Sequence, residues 1–273
     1  MYGGVIVPFS MNFTFAVLVL NYNGSHYRVC TGTVFTDFLV LTAAHCVYSS
    51  DGYLYPSRIT LRVILKDGKG YTDYQVAKVY IHPYYELKKH NDIAIIRTKT
   101  TIVSQKVDLY FKKYLPKNIL DTKCTIAGYG VYFTGVINYT YAVSLYKIDR
   151  MKPIDFYTCV FILYFFDTRV ICLPTLDGRG PCLGDSGSSI ICNGYVVGVL
   201  SRGYFIGEDC TEQRKGIFIY ESIFRHRVWL AAVMNDTNAT LYSNQLRNDS
   251  CKNSYPVKYF IFIIIILNKF ILF

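Results

Sequence analysis

Gly180-Pro-Cys-Leu-Gly-Asp-Ser-Gly-Ser-Ser189 is the stretch on which the reading of this chain turns. It sets Ser186 between Asp185 and Gly187, just past Gly184. A serine hydroxyl is a weak nucleophile by itself and needs a neighbouring base and donors for the oxyanion it creates. Glycines on both sides leave the backbone free to turn its N–H groups toward a reacting carbonyl. Asp-Ser-Gly alone is also a common turn composition. Two upstream stretches give it company: Leu41-Thr-Ala-Ala-His-Cys46 and Asn91-Asp-Ile-Ala-Ile-Ile96. Taken singly, His45 reads as a satisfied loop histidine, Asp92 as a strand-start cap and Ser186 as a turn residue. Together they supply a base, a carboxylate to orient it and a nucleophile.

At 273 residues, 52% of them hydrophobic, the chain can bury a sizeable core without metals. Lys and Arg outnumber Asp and Glu by 29 to 19, a net charge of +10. No basic run of five or more appears, so the excess reads as solubility and no nucleic-acid partner is expected. Gly-rich phosphate loops and zinc-finger spacings are missing, and no cofactor or metal is expected. Nine cysteines are spread along the chain, with sequons at Asn12, Asn23, Asn138, Asn235, Asn238 and Asn248. That usage suits an oxidising, secretory compartment. The start, Met-Tyr-Gly-Gly-Val-Ile-Val-Pro8, has neither the basic n-region nor the long apolar h-region of a signal peptide.

Short strands and frequent turns dominate. Arg28 to Val47 reads as a strand, a turn at Thr36-Asp37, and a second strand ending at the His45 loop. Ile59, Leu61, Val63 and Leu65 alternate as a strand and lead to a turn at Lys66-Asp-Gly-Lys69. Asp67 and Asp73 are too few carboxylates for a calcium site there. Gln75 to His82 and Asp92 to Arg97 read as strands, with His82 and His90 as exposed loop histidines. Ser144 to Lys152 and Val170 to Leu173 follow as strands. Ser188 to Arg202 is a hairpin around Asn193-Gly194, a type I′ turn signal. Gly216 to Tyr220 is the last strand. Ile223, Val228, Trp229, Ala232 and Val233 then recur at helical spacing within Ser222 to Met234. The class is all-β.

The expected domain spans residues 1–234, followed by a polar, sequon-rich spacer at 235–258 and an apolar tail at 259–273. The tail is too short for an ordinary spanning helix, which needs about 20 residues. Spacer and tail fit a glycolipid-anchor signal with attachment near Asn248 to Ser250. A short membrane anchor and an unstructured apolar extension stay open beside that reading.

From about Met1 to about Val233 the chain resembles the chymotrypsin-like (trypsin-like) serine proteases, through the order and contexts of His45, Asp92 and Ser186. The resemblance implies two six-stranded antiparallel β-barrels with a C-terminal helix and the site between them. It implies a secreted serine endopeptidase, with protein or peptide substrates and protein inhibitors as partners. Ser186 would attack the carbonyl, His45 would move the proton and Asp92 would fix the imidazole. The N–H groups of Gly184 and Ser186 would form the oxyanion hole, and Ser201 would hydrogen-bond the aspartate. It pairs Cys30 with Cys46, Cys124 with Cys192, Cys159 with Cys172 and Cys182 with Cys210, leaving Cys251 over. It makes the enzyme a zymogen whose freed α-amino group, here that of Met1, pairs with Asp185.

Some positions depart from the family pattern. Met1 stands where isoleucine is usual, Tyr129 and Arg202 where tryptophan is usual, and Ser188-Ser189 where Gly-Pro is usual. The substrate pocket would have Gly180 at its floor and Gly203 and Gly216 as walls. A floor without a carboxylate, between glycine walls, implies cleavage after large apolar or aromatic residues. The competing expectation is a catalytically weak homologue acting as a basic binding protein.

Overall fold

A computed structural model describes residues 1–8, 13, 15–22, 27–48, 55–65, 70–86, 90–111, 122–130, 144–163, 170–205 and 216–235. The C-terminal tail, Cys210, Cys251, Asp67 and the sequons other than Asn235 lie outside these residues, as do the expectations resting on them. Among the described residues no helix is long and apolar enough to cross a membrane.

The first body is a closed six-stranded barrel. Its strands are β2 (Ala16–Tyr22), β3 (Tyr27–Val34), β4 (Leu39–Thr42), β5 (Ile59–Ile64), β6 (Tyr71–Ile81) and β7 (Ala94–Thr98), joined in the order β2-β3-β4-β7-β6-β5. Sequence and burial agree in β5, where Ile59, Leu61 and Val63 point into the barrel core. In β6 the phase slips: Tyr74 and Val76 are buried, then Val79, with the bulge that absorbs the extra residue between Val76 and Lys78.

The second body corrects the expected pair of six-stranded barrels. It is an open seven-stranded sheet in the order β1-β9-β8-β11-β12-β13-β10. Its strands are β1 (Val5–Ile6), β8 (Cys124–Gly128), β9 (Tyr146–Met151), β10 (Val170–Pro174), β11 (Ser189–Cys192), β12 (Tyr195–Phe205) and β13 (Gly216–Ser222). Closure would need β9 to pair with β10, and two features oppose it. The N-terminal β1 takes the free edge of β9, Val5 opposite Lys147 and Ile6 opposite Tyr146. Past β9, Pro153 has no N–H to give a ladder, and the chain touches β10 at one bridge, Ile154 to Cys172, before turning into helix α2 (Phe156–Leu163). Asp155 starts α2 by accepting the N–H of Thr158 at 3.0 Å. The predicted hairpin forms between β11 and β12, with Asn193 and Gly194 at φ 53° and 82° as a type I′ turn requires.

Helix α3 (Ile223–Met234) follows β13 and buries Ile223, Trp229, Leu230 and Val233 in the barrel's apolar cluster. Polar bonds also tie the two bodies together, among them Thr33 Oγ1 to Ser189 Oγ at 2.8 Å. The site lies along this seam.

Candidate active site

His45 sits on a single helical turn, α1 (Ala44–Val47), directly after β4. The Cys30–Cys46 disulfide pins that turn to β3, and Arg28 donates to the His45 carbonyl at 2.6 Å. His45 faces Asp92 twice: its backbone N–H meets Oδ1 at 2.8 Å and its Nδ1 meets Oδ2 at 2.7 Å. Asp92 follows Asn91, whose left-handed backbone (φ 55°) aims the aspartate inward just ahead of β7. Ser201 lies in a β-bulge between Leu200 and Arg202, which releases it from the ladder, and its hydroxyl donates to Asp92 Oδ2 at 2.7 Å. Burial works to raise the Asp92 pKa, but the hydrogen bonds and charge of His45, with Ser201, outweigh it and hold the carboxyl below its ordinary value.

Ser186 is carried by the loop before β11. Its carbonyl accepts the N–H of Thr31 at 2.9 Å and lies 3.6 Å from Cys46 Sγ. His45 Nε2 lies 3.7 Å from the same sulfur, so the disulfide brings the imidazole edge and the Ser186 backbone to one place. Gly187 is required by space as well as by its φ of 81°: a Cβ there would sit 2.2 Å from Thr42 Oγ1 and 2.4 Å from the Thr31 carbonyl. Cys30, Cys46 and His45 cluster closely enough to suggest a metal, but the disulfide already joins both sulfurs.

Asp185 is fully buried beside Ser186. It accepts from Gly130 N on Oδ1 and Cys182 N on Oδ2, each at 2.8 Å, and its Oδ2 lies 2.9 Å from the equally buried α-amino group of Met1. A Cβ on Gly130 would stand 2.3 Å from Asp185 Cγ, so the glycine makes room for the carboxylate.

The structure forms Cys30–Cys46, Cys124–Cys192 and Cys159–Cys172. Cys182 is also disulfide-bonded, while its expected partner Cys210 lies outside the described residues. Gly180 is buried and exchanges backbone hydrogen bonds with Tyr2. Gly216 does not face Gly203: it stands opposite Phe205, and Phe218 stands opposite Gly203. His82, expected to be an exposed loop residue, is 3% exposed and stacks edge-on against Trp229 and His226.

Sequence reasoning missed two residues that hold the site. Thr31 binds the Gly184 carbonyl through its hydroxyl at 3.0 Å, besides the Ser186 carbonyl through its N–H. Glu221, fully buried, accepts the Asp92 N–H on Oε1 at 3.2 Å and faces buried His226 Nε2 with Oε2 at 2.9 Å. A lone acid closing the apolar strand Gly-Ile-Phe-Ile-Tyr-Glu-Ser222, with a histidine five residues on, was its available signal.

The sequence model of the family described as Trypsin matches residues 11–228. The chain belongs to that family. Within the Trypsin family, it is 28% identical over 206 residues to "Trypsin" of Phaedon cochleariae, covering 73% of this chain and 77% of that protein. Its fold is similar to that of neuropsin, a serine protease expressed in the limbic system of mouse brain, at TM-score 0.67 and 23% identity over 86% of this chain and all of the other. It is equally similar in fold to a scabies mite inactivated protease paralogue, S-I1, at TM-score 0.67 and 22% identity, again over 86% of this chain and 100% of that one. This Trypsin-family chain is a serine endopeptidase, a hydrolase with a His–Asp pair inside a disulfide-bonded fold.

Proposed function

We propose that the enzyme hydrolyses peptide bonds outside the cell with Ser186 as nucleophile, His45 as the proton carrier and Asp92 as the carboxylate that orients it. The observation that carries this reading is the Asp92 constellation: His45 Nδ1 and the Ser201 hydroxyl share Oδ2, each at 2.7 Å, and the His45 N–H holds Oδ1. Nδ1 therefore keeps its proton toward Asp92, and Nε2 is left to accept the proton of a nucleophile. Among the described residues, the N–H groups of Gly184 and Ser186 donate to no protein acceptor, which suits them to a developing oxyanion. The disulfides support an oxidising compartment.

The Met1–Asp185 ion pair supports activation by a freed α-amino group. The pair, with Gly130 and Cys182, fixes the loop that presents Gly184 and Ser186. Gly180 brings no carboxylate to the pocket floor, so selection of Lys or Arg side chains is not expected. Digestion of a peptide library by the parent and by Ser186→Ala tests the reading. Loss of cleavage by about 10⁶-fold in kcat is expected; equal cleavage by the two would refute it. The competing reading, a binding protein without catalysis, finds its support in likeness of fold to an inactivated paralogue, and the intact Asp92 constellation argues against it.

A further inference from the structure

The register of β12 against β13 decides what can enter the pocket beside Ser186. The bulge at Ser201 shifts the pairing, so Leu200 stands opposite Tyr220, Arg202 opposite Ile219 and Gly203 opposite Phe218. Residues opposite one another in a ladder share a face, as do alternate residues of one strand. Phe218, Tyr220, Leu200 and Gly203 therefore look the same way. That way is toward the nucleophile loop: Phe218, Tyr220 and Leu200 pack in one cluster with Met1, whose α-amino group reaches Asp185, and the Gly187 N–H donates to the Leu200 carbonyl. The other face of β13, with Ile217 and Ile219, packs against Cys159 and Cys172.

Phe218 is only 1% exposed. A glycine at that register would leave open a space that a phenyl ring takes up, and Gly203 opposite it has no side chain to oppose the ring. We propose that Phe218 occupies the side-chain pocket beside Ser186 and restricts the enzyme to substrates with a small side chain, such as alanine, glycine or serine, on the acyl side of the scissile bond. The glycine walls that implied an aromatic preference are thus replaced by one glycine and one phenyl ring. A large side chain would have to displace a packed ring, which interiors resist.

The inference rests on Ser186 being the nucleophile, and the test separates the two. The parent and Phe218→Gly are treated with a fluorophosphonate lacking any amino-acid side chain, then with peptidyl phosphonates ending in alanine-like or phenylalanine-like groups. The parent should react with the plain probe and at least about tenfold faster with the alanine-like probe than with the phenylalanine-like one. Phe218→Gly should reverse that order. If Phe218→Gly unfolds, Phe218→Ala supplies the same comparison, with thermal denaturation to show that it is folded. Reaction with the plain probe but equal rates for the two peptidyl probes in the parent overturns this inference alone. No reaction with the plain probe overturns the Ser186 reading and this inference with it.

Discussion

Glu221→Ala isolates a support that the triad motifs do not contain. Glu221 is fully buried between Asp92 and His226, holding the Asp92 N–H at 3.2 Å and facing His226 Nε2 at 2.9 Å. Truncation leaves both groups buried without a partner, at about 1–3 kcal/mol each. The methylene lost with the carboxylate adds about 0.8 kcal/mol. The expected loss is about 3–7 kcal/mol, against which the relief of a buried carboxylate's desolvation works. For a domain of this size, about 2–4 °C of melting temperature goes with each kcal/mol. Calorimetry should therefore show Glu221→Ala melting about 6 °C or more below the parent. Glu221→Gln keeps a carbonyl for the Asp92 N–H and an amide N–H for an imidazole nitrogen, and should lie between the two. A Glu221→Ala melting temperature within about 2 °C of the parent would refute the reasoning.

Four further outcomes are expected. Asp92→Asn should lower kcat by about 10⁴-fold, because an amide facing Nδ1 favours the wrong tautomer. Since Asp92 has a depressed pKa in the fold, its contribution to stability is present above the ordinary carboxylate value of about 3.9 and lost as pH falls through the depressed value. Acid unfolding should accordingly show the stability gap between parent and Asp92→Asn closing below about pH 4, and a gap constant with pH would contradict it. Gly130→Ala should abolish activity, because its Cβ would meet Asp185 Cγ at 2.3 Å, whereas Gly194→Ala, with nothing within 4 Å, should cost only backbone strain and leave activity intact. A form extended by a few uncleavable residues before Met1 cannot form the 2.9 Å ammonium–Asp185 pair and should be nearly inactive in a peptide-hydrolysis assay.

Local chemistry explains what could be read from the chain. The alternation in β5 survives because one of its faces is buried in the barrel, and Asn193-Gly194 carries its turn in two residues. Strand β2 had no such signal: Val17 and Val19 face the barrel core while Ala16 and Leu18 face a second cluster with Ala127 and Tyr129, so its apolar run does not alternate. Helix α2 rests on one Asp155 cap ahead of aromatic and β-branched residues with little helical preference. The His45–Asp92 pair was legible through the motifs around the two residues, and Ser186 is proposed on the same ground. The placement of Glu221 beside Asp92 and of Phe218 opposite Gly203 was not legible, because each depends on strand register, which the bulge at Ser201 sets and residue counting cannot anticipate. The missing sixth-strand closure of the second body likewise depends on where β1 docks.

Whether Ser186 is the nucleophile activated by His45 is measured by mapping a fluorophosphonate adduct with peptide mass spectrometry on the parent, Ser186→Ala and His45→Ala. One adduct is expected on the parent, on Ser186, none on Ser186→Ala, and strongly slowed labelling of His45→Ala. An adduct on another serine, or labelling of His45→Ala at the parent's rate, would contradict it.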